Sequence, residues 1–133
     1  MAFLAPEKQL VVSVGISRTS YEEVLDLCRH WVWQRKSSNC RKARYICVTS
    51  VHGIMMAHDD PEIAKIFNEA DIATPDGMPI VWALRSFGLQ KQQRVYGPSL
   101  MLELCRQAAE NGHRIFLYGG RTDTLPTLIT RLC

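Results

Sequence analysis

Short runs of β-forming residues alternate along this chain with longer stretches whose apolar residues recur at helical spacing, and that alternation restricts the fold more than any other feature. Leu10 to Ile16, Arg44 to Thr49, Asp71 to Thr74 and Ile115 to Tyr118 each read as a strand, and a helical pattern follows every one of them. Strands separated by helices pair most readily in parallel. The chain is therefore expected to be an α/β domain with a mostly parallel sheet flanked by helices, Rossmann-like in plan. At 133 residues, 47% of them hydrophobic, it is long enough to bury one core and too short for a second full domain.

Local chemistry marks where the helices begin and end. Ser20 and Glu23 have capping-box spacing ahead of Tyr21, Val24, Leu25, Cys28 and Val32, which predicts a helix to about Lys36. A short helix through Met55, Met56 and Ala57 is expected next. Asp60-Pro61 then supplies an N-cap and a first-turn proline for an amphipathic helix carrying Ile63, Ile66, Phe67 and Ala70. From Pro79, the residues Ile80 to Leu84 are apolar enough to predict burial on most sides, with Gly88 closing the helix in a left-handed conformation. Pro98 opens another helix that Gly112 stops, and Leu125, Leu128, Ile129 and Leu132 begin a last one. A helix after a parallel strand ordinarily leads to one more strand, so the domain is expected to be incomplete at its C-terminal end.

A formal net charge of +3 with 22% charged residues is far from the signature of a nucleic-acid coat, and no nucleic-acid partner is expected. The local excess of Arg35, Lys36, Arg41, Lys42 and Arg44 reads as a solvated loop, or else as a surface for anionic lipid or phosphate. Five cysteines without a C-x-x-C pair read as reduced, cytosolic thiols. No stretch approaches the roughly 18 apolar residues of a membrane span, and the N-terminus has no leader pattern. Trp31, Trp33, Trp82 and the methionines fit core packing or a contact between copies in a homo-oligomer.

Two residues stand out chemically. Asp76, in Thr74-Pro75-Asp76-Gly77, lies where open α/β sheets place their chemistry, at a strand's carboxyl end. It suits a general base that activates a hydroxyl, or an ordinary cap on the helix near Pro79. Arg94 precedes the helix start at Gly97-Pro98 and suits a phosphate clamp, or a surface arginine in a basic loop with Lys91. Gly119-Gly120 offers bare backbone to a nucleotide's phosphates but lacks G-x-G-x-x-G and Walker spacing, so from chemistry alone a plain strand-to-helix turn fits better. His52 and His58, six apart, lack the i, i+4 spacing of a helical metal pair, and with Asp59 and Asp60 they define no metal site. His52 remains a polar lining residue past a strand end.

In order along the chain, Thr49-Ser50-Val51-His52-Gly53, Asp59-Asp60-Pro61-Glu62, Asn68-Glu69-Ala70-Asp71-Ile72, Thr74-Pro75-Asp76-Gly77-Met78-Pro79, Arg94-Val95-Tyr96-Gly97-Pro98 and Phe116-Leu117-Tyr118-Gly119-Gly120 resemble the WecG/TagA/CpsF family of bacterial glycosyltransferases. The resemblance implies a single domain over residues 1–133, shorter than family members and so expected to be truncated. It implies inverting, cofactor-free and metal-independent transfer of an N-acetylmannosamine-type sugar or hexose from a UDP-sugar to a polyprenyl-diphosphate-linked saccharide. The setting would be teichoic acid or exopolysaccharide synthesis, cytoplasmic or peripheral at the inner membrane face. Asp76 matches the family's proposed base, Arg94 its diphosphate arginine, and Thr49, His52, Gly77, Gly97, Gly119 and Gly120 fall at substrate-binding positions. The family often carries Thr-x-Asn where this chain has Thr49-Ser50-Val51 with His52 beyond. A non-catalytic module that binds a nucleotide sugar or a protein is the alternative from another class, and a flavodoxin-like regulatory domain a third.

Overall fold

The computed structural model describes residues 4–38 and 42–132. Met1 to Phe3, Asn39, Cys40, Arg41 and Cys133 lie outside the described residues, and with them part of the basic loop and two of the five cysteines. The architecture is α/β, in the order β1 Lys8–Val11, β2 Val14–Ser17, α1 Tyr21–Ser37, β3 Ile46–Thr49, α2 Val51–Asp59, α3 Pro61–Glu69, β4 Ile72–Pro75, α4 Met78–Ser86, α5 Gly97–Glu110 and α6 Thr124–Leu132. Contacts group the chain into two units, Met1–Leu100 and Met101–Cys133.

In the first unit, the run expected to form one strand from Leu10 to Ile16 is instead a hairpin. β1 and β2 pair antiparallel with Val11 opposite Val14, so Val12 and Ser13 alone make the turn. Val12 adopts φ +56°, uncommon for a β-branched residue. Neither Gly, Asn nor Pro marks that reversal, which is why the sequence reads straight through it. Asn68, next to the end of α3, clamps the hairpin from outside: Oδ1 accepts the Gly15 N–H at 2.8 Å and Nδ2 donates to the Ser13 carbonyl at 2.9 Å.

β3 and β4 form the expected parallel pair, in register from Ile46 opposite Ile72 to Thr49 opposite Pro75. Ser17 joins the hairpin to this pair, its Oγ accepting the Ala73 N–H at 3.0 Å. Val11, Val14 and Ile16 of the hairpin share a buried cluster with Ile54 and Ala57 of α2 and Ile80 and Leu84 of α4. Burial of α4 on most sides is not observed. Ile80, Val81 and Leu84 point inward while Trp82 remains 59% exposed, so α4 buries one face only. Trp33 is exposed as well, so neither of these tryptophans is a core residue.

The capping chemistry read from the sequence is present. Ser20 and Glu23 complete a reciprocal capping box at α1, and Asp60 caps α3 ahead of Pro61. Just before β4, Asp71 accepts Arg44 Nη1 at 2.7 Å and the Tyr45 N–H at 3.0 Å. Burial works to raise the Asp71 carboxyl, but these two hydrogen bonds with the charges of Arg44 and Lys42 outweigh it and hold the group below the ordinary aspartate range.

In the second unit, Gly112 ends α5 at φ +63°. Ile115 to Tyr118, expected as a central strand, forms none: Phe116 is 86% exposed and Tyr118 96%. β-Forming residues become a strand only when another strand satisfies their N–H and C=O groups, and none of the described strands pairs with this segment. α6 follows, and an apolar cavity of about 530 Å³ is lined by Cys105, Ala108, Phe116, Leu117, Leu125 and Ile129 among others.

Candidate functional site

Asp76 follows directly on β4, and its own N–H lies within hydrogen-bond reach of the Thr49 and Thr74 carbonyls, both at 3.0 Å. That fixes it across the carboxyl ends of both parallel strands. Gly77 then turns the chain at φ +126°, a conformation side-chain-bearing residues rarely adopt, and α4 starts without a side-chain cap. Capping the helix at Pro79, the ordinary role open to Asp76, is therefore not what its carboxylate does.

The carboxylate faces Arg94 and α5 instead. Arg94 Nε and Nη2 both donate to Oδ1, at 3.0 and 2.9 Å, and Oδ2 accepts the N–H of Gly97 at 3.2 Å. One oxygen thus holds a charge-assisted pair, and the other meets a helix N-terminus whose dipole favours an anion. The Asp76 side chain is 14% exposed and that of Arg94 41%. The guanidinium also lies over the Tyr96 ring, 4.3 Å from its centroid. Gly97 reaches Asp76 because it has no side chain: a Cβ there would stand 2.8 Å from Val48 Cγ1 and 3.5 Å from Asp76 Oδ2. Val95, fully buried, donates its N–H to the Pro75 carbonyl at 2.9 Å and so ties the Arg94 segment to the end of β4.

The other residues singled out from the sequence are placed differently. Thr49 is buried, its hydroxyl donating to the Cys47 carbonyl at 3.3 Å, so it meets Asp76 through its backbone. His52 is exposed on the first turn of α2, behind the Ser50 N-cap. Gly119 and Gly120 are exposed in the second unit with left-handed φ of +95° and +81°. Asp76, Gly77, Arg94 and Gly97 form one cluster with the Thr49 backbone. Sequence reasoning missed Tyr96 as the ring behind Arg94, although it stands inside the Arg94-Val95-Tyr96-Gly97 motif, and it treated Tyr21 only as an apolar helix position.

A surface cavity of about 640 Å³ adjoins the segment leading into Arg94, lined by Arg18, Thr19, Ser20, Glu23, Lys91 and Gln93 among others. That volume suits a small-molecule ligand. The described cysteines, Cys28, Cys47 and Cys105, are free. Burial pushes the Cys28 thiol up to about 11 and also raises Cys47, so neither is an activated nucleophile at neutral pH. Among the described residues no three His, Cys, Asp or Glu side chains are grouped to hold a metal ion, and no helix is long and apolar enough to cross a membrane.

A family model described as "Glycosyl transferase WecG/TagA/CpsF family" matches residues 9–133. The chain is also similar to an N-acetylglucosaminyldiphosphoundecaprenol N-acetyl-beta-D-mannosaminyltransferase of Bacillus spizizenii, with 28% identity over 76 residues. That match covers 57% of this chain and 30% of the length of the relative.

Proposed function

Because the chain belongs to the WecG/TagA/CpsF family of glycosyl transferases, we propose that it transfers an N-acetylmannosamine-type sugar or a hexose from a UDP-sugar to a polyprenyl-diphosphate-linked saccharide in the synthesis of bacterial cell-surface polysaccharide. The observation that carries this reading is a carboxylate and a guanidinium paired within 3.0 Å at the carboxyl rim of the parallel strands. The relative's name describes N-acetylmannosaminyl transfer to an undecaprenyl-diphosphate-linked acceptor, which supports a lipid-linked acceptor here. A full-length form would meet that acceptor by peripheral contact at the inner membrane face.

In this mechanism Asp76 takes the proton of the acceptor hydroxyl as that oxygen bonds to the anomeric carbon. The bond from that carbon to the diphosphate oxygen breaks on the opposite side, inverting the centre, and its electron pair leaves with UDP. Arg94 stabilises the departing diphosphate. In the unliganded geometry the two roles compete, since Arg94 Nε and Nη2 both occupy Asp76 Oδ1. Donor entry resolves this when the partly exposed guanidinium exchanges Oδ1 for diphosphate oxygens. Oδ1 is then open to the acceptor hydroxyl, while the Gly97 N–H on Oδ2 keeps the carboxylate aimed.

Incubating the chain with a UDP-N-acetylhexosamine and a short-chain polyprenyl-diphosphate N-acetylglucosamine tests the assignment. Asp76→Asn is expected to lower transfer by about 10²–10⁴-fold, the usual contribution of a general base. Undiminished turnover in that variant removes the base assignment. Calorimetric binding of UDP-sugar without transfer by the wild type supports a nucleotide-sugar-binding module instead.

A further inference from the structure

The Arg94 side chain is long and 41% exposed, yet its Nε and Nη2 both donate to one carboxylate oxygen. An arginine this exposed gives up rotamer freedom to hold such a pose, and a rigid surface behind it favours that. The Tyr96 ring lies against the guanidinium, so the placement of Arg94 depends on what fixes Tyr96.

That fixing comes from α1. The Tyr96 N–H donates to Tyr21 Oη at 2.7 Å, a bond spanning 75 residues of sequence. Tyr21 is the first residue of α1, directly after the Ser20 of the capping box, so its backbone is anchored on the spot. Two further bonds hold the approach to Arg94: Gln92 Nε2 donates to the Thr19 carbonyl at 2.7 Å, and Arg85 Nε donates to the Gln92 carbonyl at 3.0 Å. The start of α1 and the end of α4 thus hold the segment on the N-terminal side of Arg94, and Tyr21 holds it on the other.

We propose that Tyr21 is a positioning residue for the Arg94–Asp76 pair: its phenolic oxygen fixes Tyr96, whose ring holds Arg94 against the carboxylate. Its catalytic significance rests on the glycosyltransferase reading above, but the positioning is testable without turnover. Tyr21 Oη has no other hydrogen-bond partner among the described residues, so Tyr21→Phe removes that one acceptor and retains the ring.

The experiment follows the Arg94 Nε–H by ¹H–¹⁵N NMR in the intact 133-residue chain. In Tyr21→Phe its solvent exchange is expected to accelerate about fivefold to tenfold, the worth of one net hydrogen bond, while the Ala73 amide on β4 keeps its protection. Tyr96→Leu, which removes the ring and leaves the backbone donor, should loosen Arg94 to a similar degree with the backbone amide at position 96 still protected. Unchanged Arg94 exchange in either variant overturns the proposal, as does equal acceleration at Ala73, which marks general loosening. In the transfer assay, Tyr21→Phe should reduce kcat in the wild-type background and have no further effect in Arg94→Ala. A wild type that transfers no sugar refutes the glycosyltransferase reading while the exchange data still decide on Tyr21.

Discussion

β4 carries an aspartate–arginine pair at each end, and under the proposed mechanism the two pairs do different work. Before the strand, Asp71 meets Arg44 at 2.7 Å and takes the Tyr45 N–H as well, joining the starts of β3 and β4. After the strand, Asp76 meets Arg94 at 2.9 Å with the α5 N-terminus on its other oxygen. Both carboxylates are mostly covered, at 12% and 14% exposure. The difference lies in their surroundings. The Asp71 pair closes a gap between the two strands at their amino ends, with Arg44 31% exposed against 41% for Arg94. The Asp76 pair stands at the strands' carboxyl rim, on a glycine-turned corner, with a cation that other anions are able to reach. Under the proposed mechanism an ion pair is a fastener at one end of this strand and a latch at the other, and topology decides which.

Swapping the two substitutions breaks or sharpens this contrast most strongly. Asp76→Asn is expected to lower sugar transfer by about two to four orders of magnitude. Asp71→Asn should leave transfer near normal and lower only stability, by about 1 kcal/mol in denaturant titration. Equal effects of the two on transfer would erase the distinction.

The latch was legible in part. Asp76 and Arg94 stand out because each lies just ahead of a helix, and the chemistry of helix starts is written locally, as it is for Ser20 with Glu23 and for Asp60 with Pro61. What local pattern does not carry is who meets whom. The carboxylate's choice of Arg94 and Gly97 over the helix at Pro79 follows from φ +126° at Gly77 and from packing across an 18-residue separation. The Tyr21 bond spans 75 residues and leaves no mark on either neighbourhood. The same limit explains two misread elements. Leu10 to Ile16 looks continuous because its turn is Val12-Ser13, and Ile115 to Tyr118 has strand composition without a paired strand.

A smaller effect probes how closely the latch is fitted. Gly97→Ala sets a methyl 2.8 Å from Val48 Cγ1, and Val48 is a stiff β-branched side chain on β3. The start of α5 must retreat, drawing the Gly97 N–H from Asp76 Oδ2. A loss of about 1–3 kcal/mol is expected, with reduced transfer alongside it. Wild-type melting and transfer in this variant would show that the N–H does not aim the carboxylate.

The smallest expected effect belongs to the fastener and appears only in acid. The Asp71 carboxyl is held below the ordinary aspartate value, so the native state binds its proton less readily than the unfolded chain does. Stability from this group is therefore complete above the unfolded value, near pH 3.9, and is lost as pH falls through the lower native value. Denaturant titrations of wild type and Asp71→Asn should differ by a constant amount, on the order of 1 kcal/mol, from neutral pH to about pH 5. Below about pH 4 the two curves should converge, because protonation removes from the wild type what the amide removes from the variant. A difference that persists unchanged into strong acid would mean that Asp71 acts by shape and neutral hydrogen bonding, and the two ends of β4 would then differ in kind as well as in use.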